Sequence, residues 1–231
     1  MRRTIAILVT AGALLPFTAQ AADEHVWLML NGGGASYGMA DLNSEFTAFN
    51  EANAGTGQSY PLIKQGMSFG GAIGYETPHQ WNFGAGYDRL LASSETSNAS
   101  GGMRYEFNAN AMRVFGEVAS RPVGSSSVRI GASVGVLAEG GKVRVSLPGE
   151  APVDFRIGGL APLYEGYAGG DWWATHQFAV TCAAGYRYAK VTRTKIEGGT
   201  LISSNGEAVT VDYSGPFVRL GIRLVGKSIV Q

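Results

Sequence analysis

The chain has 231 residues, with 18 basic and 18 acidic side chains, three histidines and a single cysteine, Cys182. Zero formal charge and the lack of a basic stripe give nucleic-acid binding no electrostatic support, and one cysteine excludes an internal disulfide and a cysteine-built metal cluster. Mean hydropathy is only +0.03, and beyond the N-terminus no run approaches the ~20 apolar residues of a spanning helix.

Residues 1–21 read as a cleaved secretory signal. Arg2 and Arg3 form its positive start, Ile5 to Leu15 its apolar stretch and Ala19-Gln20-Ala21 its cleavage site. The remainder, 22–231, is the size of one domain. The first strand is expected over Val26 to Tyr37, bent at Gly32-Gly33-Gly34. Asp41 to Ala52 has helical spacing: Leu42, Phe46 and Phe49 share one face, with Asp41 as the expected N-cap. This helix is expected to be a lid on the outer rim or a plug in a lumen.

Strict alternation follows. Over Met67 to Glu76, Met67, Phe69, Ile73 and Tyr75 share one face. Over Trp81 to Leu91, Trp81, Phe83, Ala85 and Tyr87 alternate with Asn82, Gly84, Gly86 and Asp88. Ser93 to Gly102 reads as a polar loop. A fourth strand, Tyr105 to Ala119, changes phase near Ala111-Met112, which suggests a bulge. The fifth begins at Val128 and runs through Val145, longer than the ~9–11 residues that cross a bilayer. The seventh, Phe178 to Ile196, overshoots in the same way, so these two are expected to project as a small sheet. Between them lie a loop, Pro148 to Gly159, and a sixth strand, Leu160 to Trp173. After a loop near Ser203 to Glu207, the last strand is Tyr213 to Val225.

Three connections are short and polar: Thr77 to Gln80, Arg121 to Ser127, and Ala174 to Gln177. The others are long. Tyr75, Trp81, Tyr87, Trp172, Phe178 and Tyr186 stand at strand margins as aromatic belts. Short turns at one end, long loops at the other and belts between them predict an all-β fold, an eight-stranded antiparallel up-and-down transmembrane β-barrel. Glycine, at 34 residues, is about twice its usual ~7% share. Small barrels use it for bends and close packing.

The same alternation turns Asp88, Glu139, Glu165 and Asp171 inward with Arg129, Arg187, Arg219 and Arg223. Ionised groups in a narrow lumen must pair or keep water, and eight strands leave an interior that side chains nearly fill. The expectation is a bridged, largely plugged lumen in a non-enzymatic envelope protein. Two alternatives stand beside it: a narrow channel for small apolar solutes and a soluble secreted lipid-binding barrel. The soluble barrel would require the inverted pleat, with Phe69, Ile73, Phe83, Val134, Tyr186, Leu220 and Ile222 lining a cavity.

Several motifs lack their structural context. Gly221 to Ser228 matches a phosphate-binding loop, but it alternates as a strand and only three residues follow where a helix is needed. Gly34 to Gly38 and Gly131 to Gly135 match a nucleophile elbow, which needs a sharp strand-to-helix turn. The histidines, His25, His79 and His176, fall at the chain start and in short turns, away from either serine. No catalytic residue, cofactor or metal site is expected.

Phe69-Gly70-Gly71-Ala72-Ile73-Gly74-Tyr75, Trp81-Asn82-Phe83-Gly84-Ala85-Gly86-Tyr87 and Ala183-Ala184-Gly185-Tyr186-Arg187-Tyr188 carry a resemblance. Over Val26 to Val225 the chain resembles the small outer-membrane β-barrel proteins, the OmpA/OmpX-like group. The resemblance implies insertion into outer-membrane lipid of a Gram-negative envelope by the barrel-assembly machinery. It also implies a role in envelope integrity, adhesion or passage of small apolar molecules. The family's terminal aromatic residue is not matched: Gly226 to Gln231 follow the last strand.

Overall fold

The computed structural model describes residues 25–98, 101–197 and 199–226; the expected signal, residues 1–21, lies outside them. Twelve strands and one helix follow in chain order. They are β1 (His25–Ser36), α1 (Ala40–Ala52), β2 (Gln65–Glu76), β3 (Trp81–Asn98), β4 (Gly101–Ala119), β5 (Ser126–Ser146), β6 (Val153–Trp173), β7 (Phe178–Tyr188), the two-residue β8 (Lys190–Val191), β9 (Lys195–Ile196), β10 (Gly199–Thr200) and β11 (Val211–Asp212), and β12 (Gly215–Val225). Eight of them close a ring in the order β7-β12-β1-β2-β3-β4-β5-β6, with β6 pairing back to β7. Every neighbouring pair is antiparallel, so the ring is an up-and-down barrel.

Period-two alternation makes these strands, and the ring sorts its two faces. Phe69, Ile73, Phe83, Val134, Tyr186, Leu220 and Ile222 point outward; Phe69 is 54% and Leu220 62% exposed. The belt residues Tyr75, Trp81, Tyr87, Trp172 and Tyr186 are exposed on the same outer face, and Phe178 is half-buried. The inverted pleat is therefore absent. Glycine admits the large groups that do turn inward. A Cβ on Gly74 would come within 2.3 Å of the Trp27 ring, and one on Gly84 within 2.5 Å of Phe115. The two rings pack at 5.6 Å inside the barrel.

β3, β4 and β6 are longer than expected, and β5 overshoots as expected. β3 to β6 have 18, 19, 21 and 21 residues, against 11 or 12 for β1, β2, β7 and β12. The projecting sheet is thus built from β3 to β6: the fifth strand takes part as expected, and the seventh does not. Ser93 to Asn98 belongs to β3 rather than to a loop, because its main chain pairs with Gly101 to Glu106 of β4; Ser94 also donates to the Pro61 carbonyl (2.6 Å), and Thr96 accepts from the Ser59 amide (3.1 Å). These contacts also cover the free edge of β3. The expected loop at Pro148 to Gly159 is strand from Val153 onward, since Asp154 and Arg156 lie opposite Arg144 and Lys142.

The seventh strand does not overshoot. β7 ends at Tyr188, and the chain then breaks into short rungs that fold over the barrel mouth. Ala189, Val191, Val209, Val211 and Tyr213 are all buried there. The last barrel strand starts at Gly215 rather than Tyr213 for the same reason. The phase change expected at Ala111-Met112 does not exist: Ala111, Arg113, Phe115 and Glu117 all face inward, and the β3–β4 register is unbroken.

α1 buries Leu42 and Phe46 against this mouth, while Phe49 is half-buried on the Tyr60 ring at 4.8 Å. Asp41 is not the N-cap. Met39 holds that position in the left-handed region (φ 34) with no side-chain cap, and the Asp41 carboxylate instead accepts from the Thr210 amide. Tyr60 stacks on Phe46 at 4.9 Å, and burial pushes its hydroxyl up to about 12 from 10.0. A raised phenol favours the neutral form, so Tyr60 supports the cap fully below pH 10 and progressively less as pH rises toward 12. Ultraviolet titration should show one fewer late-ionising tyrosine in Tyr60→Phe, with the cap retained.

Candidate functional site: the barrel lumen

The inward face of the ring carries ionised groups that must be satisfied away from bulk water. Two clusters form along the lumen. In the one nearer the capped mouth, Arg113 approaches Asp88 at 3.1 Å and Glu165 at 3.4 Å. Arg187 donates to Glu165 at 2.8 Å. Arg219 bridges Asp88 (2.9 Å) and Glu165 (2.7 Å), and the Ser133 hydroxyl donates to the other Glu165 oxygen. Glu165 thus lies between three guanidiniums. Phe217 sits under two of them, 4.3 Å from Arg219 and 5.4 Å from Arg187.

The second cluster lies toward the short turns. Arg129 pairs with Asp171 at 2.6 Å and also donates to the Thr181 hydroxyl. Arg223 reaches Asp171 and Glu76, each at 3.1 Å, and Asn82 at 2.9 Å. Trp27 donates to the same Asn82 oxygen and receives the Arg223 guanidinium over its ring at 4.3 Å. Tyr167 donates to Glu117 at 3.2 Å. The balance over both clusters is even. Arg113, Arg129, Arg187, Arg219 and Arg223 give five positive charges, against five negative from Glu76, Asp88, Glu117, Glu165 and Asp171.

Between the clusters lies a cavity of about 20 Å³, bordered by Trp27, Asn31, Arg113, Glu117, Arg129 and Arg219. That is room for about one water molecule. Above the arginines the lumen is closed by apolar groups, including Leu90, Phe107, Leu137, Leu163 and Tyr213 beneath α1. Larger hollows lie on the outer wall. One of about 980 Å³ is lined by Leu30, Gly71, Ile73, Ala85, Val114 and Val134.

The sequence-expected lumen set falls in two places. Asp88, Arg129, Glu165, Asp171, Arg187, Arg219 and Arg223 are drawn together in the clusters. Glu139 is not. It lies within the apolar cap and accepts from the hydroxyls of Thr194 (3.2 Å) and Tyr213 (3.4 Å), with no ion pair among the described residues. Its position three residues beyond Val136 carries it past the arginines. Arg113, Glu117 and Glu76 complete the clusters but were not in the expected set. The mistaken phase change hid Arg113 and Glu117; extending the alternation of Ala109 and Ala111 through β4 would have found both.

The elbow-like serines are ordinary strand residues. Ser36 donates to the Lys64 carbonyl, and Ser133 to Glu165. His25 lies at the opposite end of β1 from Ser36. Among the described residues, no group of acidic, histidine or cysteine side chains has the arrangement of a metal site. In the phosphate-loop match, Gly221 to Val225 are strand, and Lys227 and Ser228 lie outside the described residues.

No family model matches the chain, and no curated protein matches it in sequence. Among solved structures it is similar to Neisserial surface protein A (14% identity, 89% of this chain and 98% of that one, TM-score 0.45). It is also similar to the outer membrane protein OprG from Pseudomonas aeruginosa (9% identity, 91% and 99%, TM-score 0.43). A third is the outer membrane protease OmpT from Escherichia coli (11% identity, 93% and 99%, TM-score 0.31).

Proposed function

We propose that the chain is an integral barrel of a Gram-negative outer membrane, non-enzymatic, with a closed lumen and with β3 to β6 raised on the outside as an interaction surface. One observation carries the reading: large apolar side chains stand exposed all around the closed ring, from Leu28 and Leu30 through Val114, Ile130 and Val180 to Leu220. Soluble monomers rarely expose contiguous apolar patches beyond a few hundred Å², whereas a spanning barrel requires such a band. The short turns would then face the periplasm, and the capped mouth and long strands the outside. Export by the 1–21 signal and insertion by the barrel-assembly machinery belong to the same reading.

The mechanism is passive. The band anchors the wall in lipid. The charge-balanced clusters hold the wall closed, and the cavity of about 20 Å³ leaves no solute path. The protein should therefore partition to the outer-membrane fraction and migrate heat-modifiably in detergent gels. In planar bilayers it should give no steady conductance. Recovery in soluble periplasm would defeat the membrane reading, and a persistent ionic conductance would favour the channel.

A further inference from the structure

On the outer wall of the projecting sheet, the registers arrange outward side chains in rows. The upper row reads Glu95, Arg104, Arg144, Asp154. The row nearer the barrel reads Ser93, Glu106, Lys142, Arg156. Below that, Gly140 lies opposite Gly158, and Gly158 opposite Lys195. One row further down, Ala138 lies opposite Leu160, which is 73% exposed and begins the apolar band on β6.

The rows differ in how their charge is satisfied. Arg104 pairs with Glu106 at 3.0 Å and Glu95 at 3.5 Å, and Arg144 with Asp154 at 2.7 Å. Lys142 only reaches Glu106 and Asp154 at 3.7 and 3.8 Å. Arg156 and Lys195 are exposed and make no ion pair among the described residues; Glu197 accepts from the Arg156 main-chain amide instead. Lys142 and Arg156 stand directly opposite each other, and like charges in that relation destabilise a sheet. An anion between them would relieve the repulsion. Beneath them Gly140 leaves the wall bare. A Cβ there would meet nothing within 4 Å, so packing does not demand glycine.

We propose that this glycine notch, ringed by Lys142, Arg156 and Lys195, binds the phosphate of an outer-leaflet lipid headgroup. The lipid's acyl chains run down the adjoining strip of Leu160, Tyr164 and Val136. The apolar strip selects a lipid over free phosphate, because headgroup and chains meet adjacent surfaces. Arginine and lysine supply charge-assisted donors suited to phosphate oxygens. The proposal rests on the outer-membrane reading.

The test uses the full chain in detergent micelles, with bound lipid counted by native mass spectrometry. The probes are a bis-phosphorylated disaccharide glycolipid, its dephosphorylated counterpart and inorganic phosphate. Wild type should retain the phosphorylated lipid selectively. Lys142→Ser/Arg156→Ser/Lys195→Ser should lose it by at least about tenfold, since charged hydrogen bonds are each worth enough for such a change. Arg156→Ser alone should weaken it, and Arg104→Ser should leave it unchanged. Equal retention of the dephosphorylated lipid, full retention by the triple variant, or displacement by equimolar inorganic phosphate would each overturn the proposal. Heat-modifiable migration and membrane fractionation of the same variants keep the two readings apart. Their failure counts against membrane insertion, and their success without lipid selectivity counts against the notch.

Discussion

Glu165→Gln should lower folding stability by about 3–5 kcal/mol, the usual consequence of stripping one partner from a buried ion pair. Glu165 is the shared acceptor of Arg113, Arg187 and Arg219. Without its charge, Arg113 and Arg219 keep only Asp88, and Arg187, 1% exposed, keeps no ion-pair partner among the described residues. Glutamine keeps the volume, so the loss is electrostatic rather than a cavity effect. Ser133→Ala, which removes only a neutral hydroxyl bonded to Glu165, should cost about 1 kcal/mol. Urea unfolding in lipid vesicles, followed by the heat-modifiable band, measures both. Equal effects from the two substitutions would mean that the cluster is hydrated and open.

Val134→Arg should cost about 2–4 kcal/mol if the outer face meets hydrocarbon near its midplane. Val134 is 52% exposed on β5, between Val114 on β4 and Tyr164 on β6. On a water-exposed wall the same change would stay within about 0.5 kcal/mol. Val123→Arg provides the comparison, because Val123 lies in the connection between β4 and β5 and is more exposed still, at 83%. It should fold and insert normally. A tolerated Val134→Arg in vesicles would contradict lipid contact at that height.

Period two was legible wherever small or polar residues alternated with large apolar ones, as in Met67 to Glu76, Val128 to Val136 and Phe217 to Val225. The pattern misled where the lumen needed bulk. Phe115 faces inward against Trp27, which contradicts the rule that aromatics face out, and the apparent change of phase concealed Arg113 and Glu117. Above the apolar band, both faces of β3 and β6 are polar or mixed. Ser93 to Asn98 and Val153 to Gly159 therefore read as loops although each pairs along one side, with β4 and β5 respectively. Leu42 and Phe46 on α1 were legible as a buried stripe, but the sequence pattern could not distinguish a cap over the mouth from a plug deep in the lumen. Glu139 shows the remaining limit: alternation assigns an inward direction but no height, and height decides whether a carboxylate meets arginines or hydroxyls.

Cys182, the single cysteine, stands exposed on the outward face of β7, opposite Leu220. A nitroxide attached to it in the unfolded chain, followed by refolding into lipid vesicles, reports its surroundings without further mutation. Relaxation by dissolved oxygen well above that by an aqueous nickel complex is the expected result, because the label should sit among acyl chains. The reverse order, with the nickel complex dominant, would place this wall in water and contradict the outer-membrane barrel.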